Sequence, residues 1–136
     1  MKNLDNFENF VSHHKMVGLQ FEQFLFRTAD RFSADYDGGH WDSCQVEGFD
    51  GFYLDLDDGK SYEIQNTENY YDAGPMESKT FSLAIFAYAL NIFGFDLFRK
   101  GMKQSDNFFN LFHYIMQIAP EVLDEEEQKK FYAFLD

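Results

Sequence analysis

A single cysteine, Cys44, occurs in the 136 residues. No internal disulfide can form and a thiolate zinc site lacks its ligands, so a reduced, cytosolic protein is the expectation. Basic residues are scarce: 11 Lys and Arg stand against 24 Asp and Glu, a formal net charge of −13. Such a chain repels phosphate backbones, which weighs against direct nucleic-acid binding. There are two prolines, and no Pro/Gly/Ser-rich linker or internal repeat divides the chain. One domain over 1–136 is expected, with 1–18 as an N-terminal extension carrying a short helix. The most apolar stretch, 81–98, is interrupted by Ser82, Asn91, Gly94 and Asp96. It reads as a buried core helix rather than a membrane span. Met1-Lys2-Asn3-Leu4-Asp5-Asn6 lacks the charged-then-apolar pattern of a secretory signal.

What the chain has in quantity is aromatic rings: eighteen Phe, eight Tyr and one Trp. A chain of this length buries about two-thirds of its unfolded surface, enough for a self-sufficient core. The negative charge is uneven. Residues 1–29 are neutral, residues 30–72 carry −10 and residues 73–136 carry −3. An acidic patch favours basic partners or cations, or simply solvates an aromatic-rich domain.

Leu4, Phe7, Phe10 and Val11 suit a first short helix. Phe21, Phe24, Leu25, Thr28, Phe32 and Tyr36 then recur at helical spacing, predicting a helix ended by Gly38-Gly39. Strands are expected at 40–46, 51–56 and 61–65. In the second, Phe52, Leu54 and Leu56 share one face and Tyr53 and Asp55 the other. Asp58-Gly59 suits a tight turn between the second and third strands, giving a meander. The stretch from Phe81 is apolar nearly all round and should be the central helix. Ser105 or Asp106 suits the cap of the next, with Phe108, Phe112, Ile115 and Ala119 inward. Asp124 before three glutamates suits the start of a last one. The expected class is α+β: a small antiparallel sheet of three or four strands packed by four to five helices.

Motifs for chemistry are missing. There is no HExxH, no Gly-x-Ser-x-Gly and no Walker loop. Neighbouring His13 and His14 would diverge by about 100° on a helix and make a poor joint metal site. His113, amid phenylalanines, reads as half-buried structure. Asp55-Leu56-Asp57-Asp58-Gly59 resembles the start of a calcium loop, but Gly59, Lys60 and Asn66 fall at its fifth, sixth and twelfth positions, and the match fails. No catalytic residue, metal or cofactor is expected. A hydrolase built on His40 and nearby acids is a minor alternative.

The remaining constellation runs from Tyr36 to Tyr53. Tyr36, Asp37, Gly38, Gly39, His40 and Trp41 precede a polar strand, and Gly51, Phe52 and Tyr53 follow it. A candidate contact surface comprises Tyr36, Gly38, Gly39, His40, Trp41, Gly51, Tyr53, Asp55, Asp57, Asp58, Asn69, Tyr70 and Tyr71. Two readings are open for its rings: exposed interface anchors, or core residues beneath helices that cover both sheet faces.

With Ala29-Asp30-Arg31-Phe32 before it, this block resembles the plasmid antirestriction proteins of the KlcA/ArdB family. Their pattern is Ala-Asp-Arg-aromatic, Tyr-x-Gly-Gly-x-Trp, then Gly-Phe-Tyr. The likeness runs from about residue 19 to 136. It continues through Asn69-Tyr70-Tyr71, Met76, Phe86-Ala87-Tyr88-Ala89-Leu90-Asn91, Pro120-Glu121 and Leu135-Asp136. The resemblance implies an α+β fold and a non-enzymatic protein of mobile elements in the bacterial cytoplasm. It implies relief of restriction by type I restriction–modification systems, with the type I restriction complex as partner. The chain departs from the family at Glu47-Gly48-Phe49-Asp50, where a shorter loop is usual, and at Leu54-Asp55-Leu56, where Met-Ala-Pro is common. These departures enlarge the acidic patch. The alternative is an acidic inhibitor that occupies a DNA-binding groove.

Overall fold

The computed structural model describes residues 5–65 and 70–136. Its elements are α1 (Phe7–His14), α2 (Met16–Phe32), β1 (Asp42–Cys44), β2 (Tyr53–Asp55), β3 (Ser61–Tyr62), β4 (Met76–Glu77), α3 (Ser78–Arg99), α4 (Ser105–Val122) and α5 (Glu125–Leu135). The fold is α+β.

Helix α3 is the axis. The whole run Phe81–Ala87 is buried, and α2, α4, α5 and strands β2 and β4 pack round it. By length and composition α3 could cross a bilayer, yet most of its apolar window is buried inside the protein. The core is built from rings meeting edge to face. Phe21 lies 5.1 Å from Phe108 and 5.3 Å from Phe93, and Phe10 lies 5.0 Å from Phe108. Tyr62 instead stacks flat on Phe81 at 4.5 Å. Offset and edge-on pairs are the arrangements that ring quadrupoles favour.

Helix starts follow local chemistry. Asn6 caps α1 by accepting from the Asn9 N–H at 2.8 Å, and Asp124 caps α5 by accepting from the Glu127 N–H at 2.8 Å. Neither Ser105 nor Asp106 caps α4. Gln104 holds that position without a side-chain bond, and Ser105 is the first helical residue, buried. On α4, Phe108, Ile115 and Ala119 do face inward, while Phe112 is half-buried and His113 is exposed. Helix α2 ends at Phe32, so Tyr36 is not part of it. Ser33 turns to extended backbone (φ −145°) before the glycine pair is reached.

The strands form two separate antiparallel pairs rather than one meander. β1 pairs with β2 through Asp42–Asp55, Ser43–Leu54 and Cys44–Tyr53. β3 pairs with β4 through Ser61–Glu77 and Tyr62–Met76. The Asp58-Gly59 turn exists, with Gly59 at φ 72°, but closes no ladder. Two sets of contacts explain why. The Leu56 N–H and Leu54 C=O, which a third strand would have met, meet Ser82 of α3 at 3.0 and 3.1 Å. Beyond β3, the Glu63 N–H bonds Asp35 (2.9 Å) and the Gln65 N–H bonds the Phe32 carbonyl (2.8 Å). Buried backbone groups must be paired, and these partners replace a sheet neighbour.

Candidate functional site

The expected contact surface divides in two. Trp41 and Tyr53 are core residues, each 7% exposed. Trp41 meets Phe26 edge-on at 5.2 Å and Tyr36 at 6.0 Å. Tyr53 does not face away from the interior, nor does Asp55. Burial, with Cys44 and Asp55 nearby, pushes the Tyr53 phenol up to about 12. The buried Asp55 carboxylate accepts from the Asp57 N–H at 3.0 Å and faces the Lys79 ammonium at 3.8 Å. Tyr36 and Tyr71 are half-buried; the Tyr71 hydroxyl donates to the Gly74 carbonyl at 2.7 Å. Gly39, His40, Asp57, Asp58 and Tyr70 are exposed, while Gly38 and Gly51 are intermediate. Tyr70, at φ 56°, is 91% exposed. Asn69 lies outside the described residues.

Three exposed acids of this region are paired within its loops. Asp37 faces Lys60 at 3.7 Å, His40 faces Asp42 at 2.8 Å, and the Tyr62 hydroxyl donates to Asp58. His40 is thus a solvent-facing ring beside one carboxylate. Its side chain is 85% exposed, and it does not line the cleft described below. Burial, then Asp55, raises the Cys44 thiol, the opposite of what a nucleophilic thiolate needs. Among the described residues, no group of three or more His, Cys, Asp or Glu converges to hold a metal.

An open cleft of about 940 Å³ lies beside this region. One wall is the 45–51 segment; the other is Asn107, Asn110, Leu111 and Tyr114 of α4; Asp5 and Phe10 close the end. The Tyr114 hydroxyl accepts from the Val46 N–H at 3.3 Å, and the Gln45 side-chain amide donates to the Asp5 carbonyl at 3.0 Å. Gly51, at φ 146°, passes so close to Tyr114 that a Cβ would sit 2.7 Å from the ring. Of the cleft's residues, the expected contact surface held Gly51 alone, while Glu47-Gly48-Phe49-Asp50 stood out only as a longer loop than the resemblance implied. The rest come from three distant segments that only the tertiary fold joins.

Behind Phe10 and Asn107 sits His14, 2% exposed. Its ring meets Phe10 at 4.8 Å and Phe108 at 5.0 Å. Nε2 lies 3.4 Å from the Asn107 amide nitrogen, and Nδ1 has no hydrogen-bond partner among the described residues. Burial, then the neighbouring His13, lowers its pKa to about 4. The signal was available: Phe7, Phe10 and His14 share one helical stripe.

The unfolded imidazole takes a proton near 6.5, whereas the folded one takes it only near 4. Folding is therefore undiminished above pH 6.5 and weakens as pH falls through that window. The expected loss approaches about 3 kcal/mol by pH 4. Urea midpoints between pH 7 and 4 check it; in His14→Phe the part of the slope above pH 5 should disappear.

Comparison with protein-family models, with curated proteins and with solved structures found no match to this chain.

Proposed function

We propose that the protein relieves type I restriction by contacting the restriction complex, without chemistry of its own, in the cytoplasm of a bacterial host. The carrying observation is the order of motifs along the chain: Ala29-Asp30-Arg31-Phe32, Tyr36 to Trp41, Gly51-Phe52-Tyr53, Asn69-Tyr70-Tyr71 and the Phe86–Asn91 run. Two features support it. The described ionisable groups of the Tyr36–Tyr62 region serve loop structure or stand in solvent, and Tyr70 offers a large aromatic ring on the surface. Exposed Tyr is a residue type that anchors protein interfaces.

Occupation of a DNA groove by the acids ranks lower. DNA presents one charge per about 1.7 Å of axis, and a mimic needs a regular row of free carboxylates. Here Asp35, Asp37, Asp42 and Asp58 hold loop hydrogen bonds or ion pairs, and Asp55 is buried.

Plating of unmodified phage on a restricting strain tests the proposal. Expression of the protein should raise plating towards that on a non-restricting strain. Absence of relief at good expression would overturn it. Asp57→Lys should leave relief intact; its abolition, with the fold preserved, would favour groove occupation.

A further inference from the structure

We propose that a second copy of this chain docks on the exposed ridge of α3, the two helices pairing antiparallel about a two-fold axis near Phe98. The inference goes beyond the antirestriction reading and does not depend on it.

Three observations carry it. The first is where apolar surface is left in solvent. Ile92, Phe95 and Phe98 are 42%, 52% and 62% exposed. They recur every three residues and so share one side of α3. Phe109 of α4 flanks them, 5.5 Å from Phe95 and 6.5 Å from Phe98. Single exposed apolar residues are ordinary; a contiguous ridge of them marks a contact.

The second is the order of charges along that ridge. Asp96 meets Lys100 at 2.9 Å and Arg99 at 3.7 Å, and all three side chains stand in solvent. An antiparallel two-fold at residue 98 sets residue 96 of one helix against residue 100 of the other. Acid then faces base on both sides of the axis, and Phe98 faces its own copy. A surface that complements itself in this way fits an identical chain.

The third is the ridge's distance from the acids. Copies of a protein of net charge −13 repel each other. Lys79 meets Asp55 and Phe81 stacks on Tyr62, so the acid-rich 30–72 region lies at the first turns of α3. Lys100 is about 30 Å further along the helix. Residues 88–103 hold one acid against three bases. With a Debye length of about 8 Å, chains that meet at this end are screened from each other's acids. The contact is small: two half-exposed rings, each of about 150–250 Å², with Ile92 and the stems of Arg99 and Lys100, form a weak and reversible interface.

Sedimentation velocity of the full chain tests the assignment. The mean mass should rise from one chain towards two between about 10 µM and 1 mM. Phe98→Ser should weaken association about tenfold or more, while Leu19→Ser, also exposed but on α2, should leave it unchanged. Asp96→Lys and Lys100→Asp should each weaken it, because like charges then face across the axis. An equimolar mixture of these two variants should restore it as a heterodimer. Loss of the helix's own ion pair would not be reversed by mixing, and far-UV circular dichroism checks that each variant folds. A chain that stays monomeric throughout, a mixture no stronger than its components, or a folded Phe98→Ser that associates like wild type would overturn the proposal. So would growth beyond two chains that Asp57→Lys abolishes, which would place the ridge against the acidic end of a copy. Flotation with phosphatidylglycerol vesicles in the absence of self-association would assign the ridge to a lipid surface instead.

Discussion

Gly18→Ala should cost more than about 3 kcal/mol and release α1 from the body of the protein. Helices α1 and α2 meet at a corner made by one residue, Lys15, whose backbone is left-handed at φ 57°. Gly18, on the first turn of α2, is buried against the backbone of α1. A Cβ built there would lie 2.1 Å from the Val11 carbonyl oxygen and 2.8 Å from its carbon. These are backbone atoms inside a helix, so no side-chain rotation relieves the overlap. The methyl fits only if α1 swings away. That movement would pull Phe10 from Phe21, Phe52 and Phe108, and His14 from Phe108. Overpacking of a close-packed site costs about 1–3 kcal/mol even where side chains can give way, and here they cannot. Ala is the better helix former by about 1 kcal/mol, so a stabilising effect would be expected if packing did not oppose it. Urea denaturation gives the energy. Limited proteolysis gives the site, with new cleavage between residues 5 and 15. Equal or greater stability in the variant would show that α1 does not dock as described.

How far the sequence foretold this architecture depends on the distance over which each feature is decided. The Asp124 cap is settled within four residues, and its signal was legible. The inward stripe Phe21, Leu25, Thr28 and Phe32 is settled by helical spacing and was legible too. Strand partnership was not. The free side of β2 is satisfied by Ser82, twenty-six residues beyond Leu56, and a serine inside an apolar helix carries no mark of that task. Nor was the burial of Tyr53 and Asp55. Alternation along a strand shows that one face is apolar; what covers the other face is decided by elements elsewhere. The cleft was least legible, since its walls come from the chain's beginning, middle and last third. The acidic density of 30–72 was plain, but the engagement of some of its acids in loop contacts, such as Asp35 with the Glu63 N–H and Asp58 with the Tyr62 hydroxyl, appears only in three dimensions.

Glu127→Ala should be the most damaging change at a charged position, costing about 3–5 kcal/mol and lowering Tm by about 10–20 °C. Glu127 is 4% exposed on α5 and holds that helix to the start of α3. One carboxylate oxygen accepts from the Thr80 hydroxyl at 2.6 Å and from the Glu77 N–H at 3.0 Å; the other meets Lys130 at 2.9 Å. Burial alone would push this carboxyl up. The bonds from Thr80, Lys130 and the Glu77 N–H outweigh it and hold the pKa below the ordinary glutamate value. Truncation would leave a buried hydroxyl, a backbone N–H and a largely covered ammonium without their partner, which is the expensive way to break such a network. Glu127→Gln separates charge from shape. Its amide oxygen can still accept from Thr80 and Glu77, so only the charge-assisted part is lost, about 1–2 kcal/mol. The pH dependence follows from the direction of the shift. A carboxylate held below its unfolded value contributes fully above about pH 4.5 and loses that contribution as pH falls through the folded pKa. The difference between wild type and Glu127→Gln should therefore be constant near neutrality and shrink below pH 4. A difference that stays constant down to pH 3, or a Glu127→Ala variant within about 1 kcal/mol of wild type, would mean that apolar packing of Phe131 and Phe134 holds α5 in place without the carboxylate.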